Sequence, residues 1–241
     1  MSNLHMIEIQ YDQGALFRFL HSQSLDDPLG DEDLGYGLHG WLQAAFGELA
    51  PKPWRLYIDR RRSPRLLGYC ESDAEDLRRR MLEFADPAVC DVCSPESIAS
   101  KPMPTWQAGR QLAFEIQCCP IGRKSRTGTE KDIFLLHADL GEEESIRRDV
   151  VYCDWAKSLL EAQEAINITS VRLSAFRLVK QTRQTQGQPG DRKHKRLTRP
   201  SAVFKGGLTV VRLEEFSNML AKGFGRHRAF GYGMLLLRSL G

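Results

Sequence analysis

The chain has 241 residues, enough for one large domain or two small ones with a buried core. Its hydrophobic and charged contents, 41% and 27%, are ordinary for a soluble globular protein. No run approaches the ~18 apolar residues of a membrane helix, so no membrane partner is expected. The formal net charge is only +3, but fourteen lysines and arginines against three acidic residues fall between Arg172 and Arg228. The rest of the chain is therefore net negative. Such asymmetry points to a polyanion, nucleic acid ahead of a merely solvated face. The N-terminus lacks the basic-then-apolar pattern of a signal peptide, and the six cysteines are scattered, which suits a reducing cytoplasm. Cys90-Asp-Val-Cys93 and the adjacent Cys118 and Cys119 do not supply the four spaced ligands of a structural zinc. They read as thiols in or near the core, and no metal or cofactor is expected.

Taken in order, Leu4 to Tyr11 alternates in part and reads as a strand. Residues 12–22 read as a short helix with Leu16, Phe19 and Leu20 on one side, and 24–33 as a loop. Leu34 to Leu49 is the clearest helix: Leu34, Leu38, Trp41, Leu42, Ala45, Phe46 and Leu49 form one stripe at the helical period, with Asp31 or Asp33 as a cap. Tyr36 and His39, three apart, share a flank of this helix, and His39 lies on the border of the stripe. Trp54–Ile58 and Arg65–Cys70 predict a hairpin around a basic turn. Ser72–Ala85 predicts a helix capped by Ser72 or Asp73, with Leu77, Met81, Leu82 and Phe84 apolar. Ser97–Met103 predicts a strand. The order is βαββαβ, the ferredoxin-like unit, and prolines 102 and 104 mark a linker.

The second half repeats the pattern without a visible sequence repeat. Gln111–Cys118 reads as a strand, 120–132 as a polar loop, 133–138 as a short apolar segment and 148–166 as a helix. Val171–Val179 and Ala202–Leu213 read as strands, separated by a polar, basic connection over 181–200 with no structure of its own. Connections of that length in a compact domain serve function or are disordered. Glu214–Lys222 reads as a helix and Tyr232–Leu237 as the last strand. The expected fold is α+β, two tandem ferredoxin-like domains, residues 1–104 and 105–241.

The most distinctive stretch is Gly223-Phe-Gly-Arg-His-Arg-Ala-Phe-Gly-Tyr-Gly-Met-Leu235. Glycine permits positive φ and close backbone approach, and successive N–H groups in such a loop can cradle an anion. Arg226 and Arg228 add charge that suits phosphate. The same residues also fit a tight turn into a strand. The spacing is not that of a dinucleotide fingerprint, and no helix pattern follows.

This glycine stretch, together with Phe204-Lys-Gly-Gly-Leu-Thr-Val-Val211, Tyr36-Gly-Leu-His39 and Asp154-Trp155, resembles the CasE family. These are the repeat-RNA endoribonucleases of type I-E CRISPR systems, and the resemblance spans most of the chain. Two departures stand out. Gln117-Cys-Cys-Pro120 replaces the common Ala-Asn-Pro, and no lysine follows His39 until Lys52, where some relatives carry one on the same helix.

The resemblance implies metal-independent cleavage of CRISPR repeat RNA at the 3′ base of its hairpin. It also implies retention of the guide RNA beside other Cascade-type protein subunits. RNA carries its own nucleophile, the 2′-OH, and a histidine side chain suits proton transfer near neutrality. His39 is the candidate for that step, and Tyr36 for orienting the ribose or phosphate. Read without the resemblance, His39 is first a core-edge histidine. His5 and His137 read as structural, and His21 lies by a loop. His194 and His227 lie in basic runs. The candidate RNA-binding residues are Arg183, Arg192, Lys193, Lys195, Arg196, Arg199, Lys205, Lys222, Gly223, Gly225, Arg226, His227 and Arg228. The alternative is a non-catalytic RNA-binding subunit of a guide-RNA complex. A single-strand binder with stacking aromatics on its central strands ranks last, because no such string is present.

Overall fold

The computed structural model describes residues 4–23, 34–59, 62–123, 129–139, 147–162, 164–184 and 194–240. The chain divides into two units. Residues 1–103, 179–198 and 229–231 form the first, and residues 104–178, 199–228 and 232–241 the second.

The first unit runs β1 (His5–Gln10), α1 (Gln13–Ser22), α2 (Gly35–Phe46), β2 (Trp54–Asp59), β3 (Arg62–Cys70), α3 (Ala74–Phe84), α4 (Pro87–Cys90) and β4 (Ile98–Pro102). Its sheet order is β2-β3-β1-β4, with β1 antiparallel to both neighbours; Ile7 lies opposite Gly68 on one side and Ser100 on the other. Alternation puts Ile7 and Ile9 on the covered face. There they join Leu16 and Leu20 of α1, Leu38, Trp41, Leu42 and Phe46 of α2, and Leu77 and Met81 of α3 in one core. Burying an indole demands a partner for its N–H, and Trp41 donates to the Val89 carbonyl at 3.1 Å.

Local chemistry sets the ends of these helices. The Asp12 carboxylate accepts from the Ala15 N–H at the start of α1. Asp73 accepts from Glu75 and Asp76 at 2.9 and 3.0 Å, which begins α3. In α2 the N-cap position is Leu34, with no side-chain cap. Asp31 and Asp33, expected as caps, lie outside the described residues, as does the expected loop over 24–33. The apolar stripe of α3 is narrower than its composition suggests: Leu82 and Phe84 are each 66% exposed. The Arg80 guanidinium covers the Phe84 ring at 4.2 Å.

The remaining elements are β5 (Gln111–Cys118), β6 (Ile121–Arg123), β7 (Glu130–Asp132), α5 (Ile133–Asp139), α6 (Arg148–Glu161), β8 (Ile166–Gln184), β9 (His194–Val210), α7 (Leu213–Lys222) and β10 (Leu235–Ser239); they belong to the second unit, except that β8 from Val179 and β9 up to Thr198 are counted with the first. Its main sheet is ordered β10-β5-β9-β8. Setting aside the separate β6–β7 pair, both units place their strands in the order fourth, first, third, second. The fold is therefore two tandem ferredoxin-like units of the α+β class. Along β5, Leu112, Phe114, Ile116 and Cys118 alternate inward. They share the buried interior with Tyr152 and Leu160 of α6 and Phe216, Met219 and Leu220 of α7.

Five expectations need correction. The polar loop over 120–132 contains the β6–β7 hairpin, paired Ile121 to Asp132 and Arg123 to Glu130. The apolar segment after it is a helix, α5, and His137 sits in its last turn. A short continuous apolar run is ambiguous by period alone; the deciding group is the Asp132 carboxylate, which accepts from the Phe134 N–H at 2.8 Å and caps the turn. The connection over 181–200 is not without structure: β8 runs to Gln184 and β9 starts at His194. Antiparallel pairing is made by backbone groups, so strands can extend through residues with no apolar alternation. Helix α6 ends at Glu161, and the last strand starts at Leu235 because the preceding residues are taken up by the glycine turn.

Candidate active site

Tyr36 and His39 stand on the flank of α2, where the helical period sets them apart from the buried Leu38, Trp41 and Leu42. Both are half-buried. A third ring joins them from the far end of the chain. Phe230 lies in the short segment Ala229–Gly231, which belongs to the first unit. Its ring stacks on Tyr36 at 6.2 Å and 27°, and meets His39 edge-to-face at 5.3 Å and 83°.

Trp54, the first residue of β2, holds this segment in place. Its indole N–H donates to the Ala229 carbonyl at 3.0 Å. Gly231 has φ +87°, and a Cβ there would come within 2.9 Å of the Trp54 ring. Only glycine tolerates both conditions without strain.

Lys52 completes the arrangement. Its backbone N–H donates to the Tyr69 carbonyl, and the Tyr69 N–H donates to the Pro53 carbonyl, each at 3.0 Å. The strap from Pro51 to Pro53 is thereby pinned to β3. A cavity of about 170 Å³ opens here, lined by His39, Gln43, Pro51, Lys52, Trp54 and Ala229 among others. Burial, and then the positive charge of Lys52, hold the His39 imidazole below the ordinary histidine pKa. Desolvation and a like charge both disfavour the imidazolium, so His39 is poised neutral and able to accept a proton. Among the described residues, no three His, Cys, Asp or Glu side chains are grouped to share a metal ion.

The glycine turn is closed by backbone hydrogen bonds, one within the turn and one to β5. The Gly233 N–H donates to the Gln117 carbonyl at 2.8 Å, and the Gly233 carbonyl accepts from the Phe224 N–H at 2.9 Å. Its cations converge on one carboxylate. Glu130 of β7 accepts from Arg199 at 2.5 Å and from Arg226 at 3.2 Å, with His227 Nε2 at 3.7 Å. Burial pushes the Glu130 carboxyl up, but Arg199, His227 and Arg226 more than offset this, and it stays below the usual range. Arg199 is 8% exposed and Arg226 is 44% exposed, so Arg199 anchors the cluster while Arg226 faces outward. The distinction has energetic weight. An exposed pair contributes ~0–1 kcal/mol, whereas removing one partner of a buried pair costs ~3–5 kcal/mol. Arg228 donates to the Lys222 carbonyl at 2.6 Å, a cation on the last turn of α7.

The other expected RNA-binding residues are more dispersed. Lys205 pairs with Glu115 across β9 and β5 at 2.9 Å and keeps 40% exposure. Gly223 ends α7 and Gly225 follows in the turn, both at positive φ. Arg183 lies on β8, and Lys195 and Arg196 on β9, outside the described side chains. Arg192 and Lys193 lie outside the described residues altogether.

A family model described as CRISPR associated protein matches residues 12–239. The chain is a CRISPR-associated protein. This bears out the resemblance read from the sequence. Two solved structures of related fold are a CRISPR endoribonuclease Cse3 bound to 19-nucleotide RNA (TM-score 0.63, 18% identity, 97% of this chain and 99% of that one) and Thermus thermophilus Cse3 bound to an RNA representing a pre-cleavage complex (0.61, 16%, 98% of each). A third is a chain of a CRISPR RNA-guided surveillance complex in a pre-nicking state (0.57, 14%, 97% and 100%). At these identities the likeness establishes the fold. No curated protein matches the chain.

In this CRISPR-associated protein helical spacing pairs Tyr36 with His39, whereas Phe230, Trp54, Lys52 and Glu130 join these clusters through tertiary contacts that local spacing does not show. Phe230 had one available signal, its place in Ala229-Phe-Gly231 between the arginines and the last strand. Lys52 stands out in the sequence only as the next lysine after His39, and Glu130 falls within the polar stretch 120–132.

Proposed function

We propose that the chain is a metal-independent endoribonuclease of CRISPR repeat RNA. It cuts at the 3′ base of the repeat hairpin and stays bound to the guide RNA as a cytoplasmic subunit of a Cascade-type complex. In this reading residues 1–104 supply the catalytic helix, and 105–241 supply the basic strands and glycine turn. The observation that carries it is the convergence of Tyr36 and His39 with Phe230 beside Lys52, with the histidine poised neutral. Support also comes from the family, and from related structures of Cse3 that hold RNA.

The chemistry needs little from the protein. Neutral His39 accepts the proton of the ribose 2′-OH, and the 2′-oxygen attacks the adjacent phosphorus. The bond from phosphorus to the 5′-oxygen breaks, and that oxygen leaves as a 5′-OH after taking up a proton. The other product ends in a 2′,3′-cyclic phosphate. Lys52 offsets the charge gathering on the phosphoryl oxygens, and the Tyr36 hydroxyl orients ribose or phosphate. Arg226, Arg228, Lys205, Lys222 and the basic strands hold the hairpin, with Arg199 and His227 shaping the turn.

The test is incubation of the purified protein with its own repeat RNA in EDTA. One cut with a cyclic-phosphate end is expected, and His39→Ala should retain binding while losing roughly 10²–10⁴ in rate. An absolute Mg²⁺ requirement, or full activity in His39→Ala, would overturn the reading. Binding without any cutting would instead make the chain a non-catalytic RNA-holding subunit.

A further inference from the structure

We infer that Phe230 is a positioning residue whose ring sets the orientation of the His39 imidazole for proton transfer. This rests on the endoribonuclease reading, but its structural core does not. Among the described residues, no group hydrogen-bonds the His39 imidazole. An imidazole with one ring flank on a helix and no hydrogen-bond anchor can rotate, and proton transfer needs heavy atoms within ~2.6–3.2 Å along a fixed line. The ring contact supplies the missing constraint. Phe230 meets His39 edge-to-face at 5.3 Å and stacks on Tyr36 at 6.2 Å, arrangements that aromatic pairs prefer. One ring thus fixes both candidate side chains relative to each other.

The segment carrying Phe230 is itself held, which separates a placed ring from an incidental contact. Trp54 takes the Ala229 carbonyl at 3.0 Å, and the Gly231 backbone lies against the Trp54 ring, with no room for a Cβ. The Ala-Phe-Gly order therefore has a separate reason at each position: a carbonyl for the indole, a ring for the helix flank, and a bare backbone against tryptophan. Among the residues lining the cavity at His39, Lys52 is the charged one; Tyr36 shares the Phe230 ring, and that ring carries no charge of its own.

The experiment compares full-length wild type with Phe230→Leu and Phe230→Tyr by two measurements. The first needs no RNA. Ring-current displacement and pH titration of the His39 imidazole protons are followed by NMR, assigned with His39→Gln. Loss of the displacement in Phe230→Leu, a titration midpoint moved up toward an ordinary histidine, and retention of both properties in Phe230→Tyr are expected. The second is single-turnover cleavage of the repeat RNA with its Kd measured alongside. Phe230→Leu should lose roughly 10- to 100-fold in rate, the scale of an ~1 Å misplacement, with Kd within a few-fold and the pH profile shifted. Phe230→Tyr should keep most of the rate. An unchanged His39 spectrum in Phe230→Leu overturns the inference whatever the RNA assay shows. So does a loss of affinity that accounts for the whole loss of rate, which would make Phe230 an RNA contact. If Phe230→Leu does not fold, a Phe230→Tyr that folds but loses the rate overturns it too. Absence of cutting by wild type with the NMR result intact would defeat the nuclease reading alone.

Discussion

His39 is kept neutral by two effects of the same sign, burial and the Lys52 ammonium, and this decides how its chemistry should follow pH. A group whose pKa is lowered reaches its neutral form at lower pH. If neutral His39 accepts the 2′-OH proton, the single-turnover rate should rise with pH, with a midpoint below the ordinary histidine value of 6.5, and be level by neutrality. Lys52→Ala removes the second effect, so the midpoint should move up while the plateau falls for want of a cation near the phosphate. A rate that declines as pH rises through the same midpoint would make His39 the proton donor instead. At this scale the sequence was legible only along one helix. Tyr36 and His39 could be paired because three residues of helix put them on one flank. Lys52 and Phe230 reach the same place through a pinned strap and a tryptophan-held segment, and neither distance is written in local spacing.

Among elements, those with a period were readable and those held by backbone alone were not. Helix α2 declared itself through its apolar stripe, and β5 through alternation. The β6–β7 hairpin and the extended arms of β8 and β9 carry polar residues, so only pairing reveals them. The α5 helix needed the Asp132 cap to separate it from a strand. The glycine turn was visible as an unusual string, but its closure was not. Gly233 sits at φ +80°, and a Cβ on it would fall 2.1 Å from the Phe224 carbonyl oxygen. Its backbone also bonds Gln117 and Phe224. Gly233→Ala must therefore break that closure or force the turn open. The cost should be ~1–3 kcal/mol, from strain and overpacking, seen as a lower midpoint in urea with an unchanged slope. RNA affinity should fall with it, because Arg226 and Arg228 lose their fixed frame. An alanine variant as stable as wild type would show that the closure is not what shapes the turn.

At the scale of the whole chain, a small net charge conceals a strongly cationic stretch from Arg172 to Arg228, and charge alone does not say which cations select an RNA. Anchoring does. Arg226 is tied to Glu130 at 3.2 Å and Arg228 to the Lys222 carbonyl at 2.6 Å, so both are presented from a closed turn. Lys195 and Arg196 lie on β9, and Arg192 and Lys193 precede it in the sequence, outside the described residues. Cations on a fixed frame discriminate by geometry, while cations on a polar arm act mainly by releasing counterions from phosphate. Replacing Arg192, Lys193, Lys195 and Arg196 together with alanine should therefore weaken binding to any structured RNA about equally. It should also flatten the dependence on salt, by less than the ~0.9 per lost phosphate contact that holds for duplex DNA. Replacing Arg226 and Arg228 should instead erode the preference for the cognate hairpin over a scrambled stem. Binding titrations of both variants against both RNAs, at several salt concentrations, separate the two effects. If the arm variant loses discrimination and the turn variant keeps it, the frame lies in the arms, and the Glu130 cluster serves only to hold the turn together.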